Sequence, residues 1–227
     1  LRALTPMRRI VSEIAKGQGV GLVEYADLLE KRMQSVVGHP IPGEEVFLDH
    51  VHPTIEGNKN PAVALIQTRV DQGLVRPVAN WGELVIAEVA EKILGRIDQG
   101  VHGEALTKLA RVLLWAGKNE NAARLARQAL DIAGEYPQVA VGAATTLTTF
   151  YQRQGYLERA LQQLYSALEN APGAIELHLK LGQALLNLPF MQLDEAAANL
   201  LLVCQQMPYN GVANQLLGDR TSTRLNS

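Results

Sequence analysis

The sequence predicts a chain in two parts, a partial α/β domain over residues 1–78 and an all-α helical-repeat solenoid beyond it. Three observations carry that prediction. Short β-branched runs alternate with amphipathic helical patterns before residue 78, strand signals vanish from about Asn80, and small or turn-forming residues recur at a fixed offset in the second half. The 227 residues suffice for one to two domains. Hydrophobic residues at 47% against 19% charged residues exclude wholesale disorder.

Taken in order, Leu4, Met7, Ile10, Val11 and Ile14 recur at helical spacing and predict a helix from Leu1 to Lys16, stopped by Gly17, Gln18 and Gly19. Val20 to Tyr25 is a β-branched run of buried-strand type. Leu28, Leu29, Met33 and Val36 form the apolar face of a helix from Tyr25 to Val37. Two prolines and two glycines within 38–43 make that stretch a loop. Val46 to Leu48 is a second short strand, leading into a turn over 49–54. Asn60 caps a last helix with Pro61 at its first position, running to about Gln72. Helix, strand, helix, strand, helix is the rhythm of a parallel sheet, but it is too short for a whole domain of that class.

Trp81 to Ile97 reads as one amphipathic helix within a linker over 79–102, and helical hairpins follow over 103–218. Ala160 and Ala196, Pro172 and Pro208, and Gly182 and Gly218 are each 36 residues apart. Ala122 precedes Ala160 by 38, the same unit with a longer loop. Small side chains recur because the two helices of a hairpin must approach closely. These positions resemble the tetratricopeptide repeat, a helical hairpin of about 34 residues. In the middle unit Leu147, Tyr151, Gly155, Tyr156, Ala160, Leu164, Ala167 and Pro172 fall at its spacings. Leu109, Leu113, Gly117, Ala122, Ala126 and Ala129 mark the unit before. Leu181, Gly182, Leu185, Ala196, Leu200 and Pro208 mark the unit after, given about two inserted residues near Pro189. Leu217 and Gly218 open a fourth. The resemblance implies a protein or peptide partner for the repeats.

The ends carry information of another kind. Leu1 falls inside a helical pattern with no initiator Met, and Thr221 to Ser227 resemble translated adapter sequence. The expectation is a fragment cut at both ends, with 219–227 a non-native tail. Any address signal would lie ahead of Leu1, so no compartment is assigned.

One stretch carries chemistry. Asp49 and His52, three apart and followed by Pro53, Thr54 and Gly57, can meet through a carboxylate–imidazole hydrogen bond. A serine nucleophile needs that pairing: the imidazole takes the hydroxyl proton while the carboxylate fixes its tautomer. The compact Asp-x-x-His-Pro block resembles the last block of SGNH (GDSL-type) esterases, in which a helix, a strand and a helix precede the block and a helix closes the domain. That resemblance implies a three-layer α/β domain, Asp49 as orienting carboxylate, His52 as general base and a small acyl ester as substrate. The family's serine and oxyanion blocks are missing from the chain, since Ser12 and Ser35 fall in helical segments, so the fragment is expected to be inert alone. The plainer alternative is that Asp49 caps a turn and His52 is a loop residue.

Other patterns weigh less. His50 and His52 form a His-x-His pair, yet downstream only His102 and His178 follow, both in the helical half, so no metal site is assigned. Glu44 and Glu45 read as solvated surface. Gly17 to Gly21 precedes a strand instead of following one, the wrong order for a phosphate loop. Trp81 and Trp115 read as packing residues, with the lining of a binding groove as the alternative, and Cys204 as a buried thiol. One cysteine makes no internal disulfide. A net charge of −2 without a Lys/Arg cluster excludes the field of a nucleic-acid binder. No apolar run approaches the roughly 18–20 residues of a membrane span, and no cofactor is implied. Two functions stand: the C-terminal part of a serine esterase fused to a tetratricopeptide-like array, or a non-catalytic repeat scaffold beside a degenerate α/β domain.

Overall fold

The computed structural model describes residues 5–49, 51–187 and 192–225, and it divides into two compact units, Leu1–Arg96 and Ile97–Ser227. The first unit holds α1 (Thr5–Gly17), α2 (Tyr25–Val36), α3 (Ile55–Asp71) and α4 (Glu83–Leu94). The second holds α5 (Gln99–Trp115), α6 (Asn119–Ala133), α7 (Pro137–Arg153), α8 (Leu157–Asn170), α9 (Ile175–Leu186), α10 (Leu193–Gln206) and α11 (Gly211–Leu225).

The expected α/β class is corrected to all-α. Among the described residues there is no strand, and the nearest thing to one is an isolated antiparallel bridge between Phe47 and Pro53. Val20 to Glu24 is irregular, with Val20 exposed, and Val46 to Leu48 belongs to a turn. A β-branched run becomes a strand only where a neighbour supplies ladder partners, and neither run meets one. The three-layer SGNH-like domain falls with the sheet.

In the first unit α1 ends at Gly17, with Gly19 left-handed at φ 65° and Val20 N–H donating to the Ala15 carbonyl at 2.9 Å. The apolar face of α1, with Met7, Ile10, Val11 and Ile14, is exposed. A small core joins Leu29 and Met33 of α2 to Val46, with Tyr25 and Phe47 against it.

α3 starts six residues earlier than the Asn60–Pro61 pair suggests. Thr54 is the cap, its hydroxyl accepting from Gly57 N–H at 2.9 Å. Pro61 therefore sits inside the helix, where its missing N–H leaves the Gly57 carbonyl without its usual donor. The Tyr25 hydroxyl donates to that carbonyl at 3.1 Å.

The second unit is an array of antiparallel helical hairpins: α5 with α6, α7 with α8, α9 with α10, and α11 against α10. The first helices of successive hairpins also pack together, α5 on α7 and α7 on α9. Ala122, Ala160 and Ala196 are fully buried, as close helix approach requires. Gly117 and Gly155 take φ of 77° and 79° at the turns ending α5 and α7. The following N–H closes each turn, Lys118 onto Leu113 at 2.8 Å and Tyr156 onto Tyr151 at 2.9 Å, a geometry in which a Cβ is strained. A core running through Ala140, Ala144, Leu164, Leu177, Leu181 and Leu185 ties α7 to α9 across α8. The insertion expected near Pro189 lies outside the described residues. No described helix is long and apolar enough to cross a membrane.

Candidate functional site

Two places gather chemistry, one in each unit. The first is the turn between Phe47 and Pro53. Backbone bonds from Leu48 N–H to the His52 carbonyl (2.8 Å) and from Thr54 N–H to the Val46 carbonyl (2.7 Å) close it. Asp49 organises the inside. Its Oδ1 accepts from the Val51 and His52 N–H groups, both at 2.7 Å, and its Oδ2 meets His52 Nδ1 at 2.8 Å. Burial alone would push the Asp49 carboxyl up, but hydrogen bonds from the His52 backbone, the His52 ring and the Val51 backbone outweigh it, and the carboxyl lies below its usual range. The Asp49 side chain is 13% exposed and that of His52 64%, so the carboxylate is set in the turn while the ring reaches outward. Gly57 completes the fit, because a Cβ there would overlap the Val46 carbonyl oxygen.

The structure thus brings Asp49 and His52 together with the carboxylate on Nδ1, leaving Nε2 directed away from it. Among the described residues the ring has no second polar partner. Ser35 lies on α2 with its hydroxyl on the Arg32 carbonyl at 2.8 Å, and Ser12 is exposed on α1. His50 lies outside the described residues. His178 is engaged structurally, its Nδ1 2.7 Å from Asn199 Oδ1 and its Nε2 2.8 Å from the Pro172 carbonyl.

The second place is a groove across the first helices of the array. Glu104, Lys108 and Arg111 of α5 face Gln138 and Val141 of α7, with Glu176 of α9 at the far side, around a volume of about 520 Å³. Gly142 forms its floor, where a Cβ would lie 2.9 Å from Thr107 Cβ. Lys108 is held by Glu104 at 2.9 Å, whereas Arg111 has no ion pair among the described residues. Trp115, one turn beyond Arg111, is 88% exposed, which corrects its expected packing role. The groove helices α5 and α7 are 17 residues long and α9 is 12, and their buried small residues on one face leave the opposite face for this groove.

No family model matches the chain, and no curated protein matches it. Among solved structures it is similar to the C-terminal TPR-containing domain of a Plasmodium falciparum FK506-binding protein, at 18% identity and a TM-score of 0.44, over 56% of this chain and 93% of that one.

The groove residues escaped the sequence reading although a signal existed. Glu104, Gly142 and Glu176 hold one position of successive units, 38 and 34 residues apart. Projecting each first helix and taking the face opposite its buried small residues would have found them.

Proposed function

We propose that the chain is an interaction scaffold whose helical array takes a peptide segment of a partner protein in the groove across α5, α7 and α9. The observation that supports this reading is the groove itself. It is continuous over three helices, has the volume of a small ligand site, and presents the unpaired Arg111 on one side and Glu176 on the other around the apolar Val141. Such a floor suits a short segment with an apolar residue between an acidic and a basic one. The scaffold reading takes precedence over the esterase because the sheet on which the esterase resemblance leaned is missing among the described residues. Selecting peptides from a displayed library on the whole chain tests it. Arg111→Glu should weaken the selected peptides about tenfold, the worth of one charged contact. Undiminished binding to that variant refutes the groove as the site.

A second reading rests on the 2.8 Å contact of His52 with Asp49. In it His52 is the general base and Asp49 its orienting carboxylate, serving a serine hydroxyl that attacks a small acyl ester. In a protein that carries this chain with such a serine, His52→Ala abolishes ester hydrolysis. Hydrolysis untouched by that substitution removes the reading.

A further inference from the structure

The faces that α2, α3 and α4 turn toward one another carry a chemistry that neither reading uses. Lys31 and Arg32 project from α2 and Lys59 and Asn60 from α3, over a floor of Leu28, Val63 and Ile86, around a volume of about 700 Å³. That is the size of a small-molecule site. Two carboxylates oppose the three cations. Glu56 engages Arg32 at 3.0 Å and Lys59 at 3.6 Å, and Glu83 lines the α4 side, so the groove keeps one positive charge in excess. Lys31 has no ion pair among the described residues.

Asn60 adds an independent sign. Its Nδ2 is shut off from solvent and has no acceptor. Buried side-chain donors almost always find a partner, and those that do not point to a missing one. Asn60 is itself one of the residues lining the groove. An oxyanion then supplies the acceptor that Asn60 lacks and the counter-charge that Lys31 lacks, while the apolar floor receives whatever the anion is attached to.

We propose that this groove binds a small oxyanion carried on an apolar body, of the alkyl phosphate type. The site is separate from the repeat groove and from the Asp49–His52 turn, and its test does not depend on either.

Titration calorimetry on the whole chain, with hexyl phosphate, inorganic phosphate and hexyltrimethylammonium as probes, decides it. Hexyl phosphate should bind saturably and at least tenfold tighter than inorganic phosphate, and the cation should not bind. Lys31→Gln, an exposed change that leaves the fold intact, should weaken hexyl phosphate about tenfold. Asn60→Leu should weaken it while keeping or raising the melting temperature, because it deletes a donor that has no partner in the free protein. Glu56→Gln should tighten binding, since it frees Arg32 and Lys59 for the ligand. The proposal is overturned by absent saturation, by equal affinity for the two phosphates, by binding of the cation, or by Lys31→Gln and Asn60→Leu both leaving the affinity unchanged.

Discussion

Gly182 and Gly218 hold one position of successive units, 36 residues apart, yet substitution by Ala should move stability in opposite directions. A Cβ at Gly182 would lie 2.7 Å from Leu200 Cγ, 2.9 Å from its Cδ2 and 3.3 Å from the Ala196 carbonyl oxygen. Carbon contacts are comfortable at about 3.5–4.0 Å, so the overlap approaches 1 Å. Leu200 is 1% exposed and has no open space to turn into. Overpacking of this kind costs about 1–3 kcal/mol, and replacing a mid-helix glycine by alanine returns about 0.8–1 kcal/mol. The net expectation for Gly182→Ala is a loss of about 1 kcal/mol. At Gly218 a Cβ would meet nothing within 4 Å among the described residues, so Gly218→Ala keeps only the propensity gain, about 0.5–1 kcal/mol. At about 2–4 °C per kcal/mol for a domain of this size, the two variants should melt several degrees apart. Urea unfolding followed by helical circular dichroism measures the difference directly. A Gly182→Ala chain as stable as Gly218→Ala would refute the close approach of α9 and α10.

Three further outcomes follow from named contacts. Asp49→Ala strips the acceptor from the Val51 and His52 N–H groups and should cost about 1 kcal/mol, as loss of a cap does. Because the folded carboxyl titrates below its unfolded value, that contribution is whole above pH of about 4 and fades as pH falls through the folded value. Urea midpoints of the parent and the variant should therefore converge in acid. Tyr165 is pushed up to about 12 by burial and then by its 2.7 Å hydrogen bond to Glu195. Its protonated phenol supports the fold fully below pH 10 and the support is lost as pH rises toward 12, so melting curves of Tyr165→Phe and the parent should differ below pH 10 and converge as pH approaches 12. Tyr25→Phe removes the donor that replaces the missing Pro61 N–H at the Gly57 carbonyl and should cost about 1 kcal/mol. In a Pro61→Ala background the backbone supplies the donor and the cost should shrink, which a double-mutant cycle of urea midpoints reads out.

What was legible in the sequence divides along a physical line. The hairpin array was readable because its constraints are local and repeat: Ala122, Ala160 and Ala196 must be small where helices touch, and Gly117 and Gly155 must reach positive φ where they turn. The strands were misread because Val20 to Tyr25 has strand composition without a partner, and composition cannot supply hydrogen bonds. Asn60 followed by Pro61 has the chemistry of a helix start and so places the start of α3 late, whereas the helix begins after its Thr54 cap and the carbonyl freed by the proline is satisfied from another helix. At the candidate sites, the Asp49–His52 contact was legible from a spacing of three residues. The repeat groove was not, since Arg111, Val141 and Glu176 converge only once three helices are stacked. Nor was the unpartnered Asn60 amide, which a sequence reading assigned to a cap.

The measurement closest to the central claim is amide hydrogen exchange on the whole chain with and without a library-selected peptide. The scaffold account predicts slowed exchange along α5, α7 and α9 at the groove, with α6, α8 and α10 unchanged and about tenfold more peptide needed for the same protection in the Arg111→Glu chain. Protection confined to α6, α8 and α10, or to residues 5–96, would contradict it.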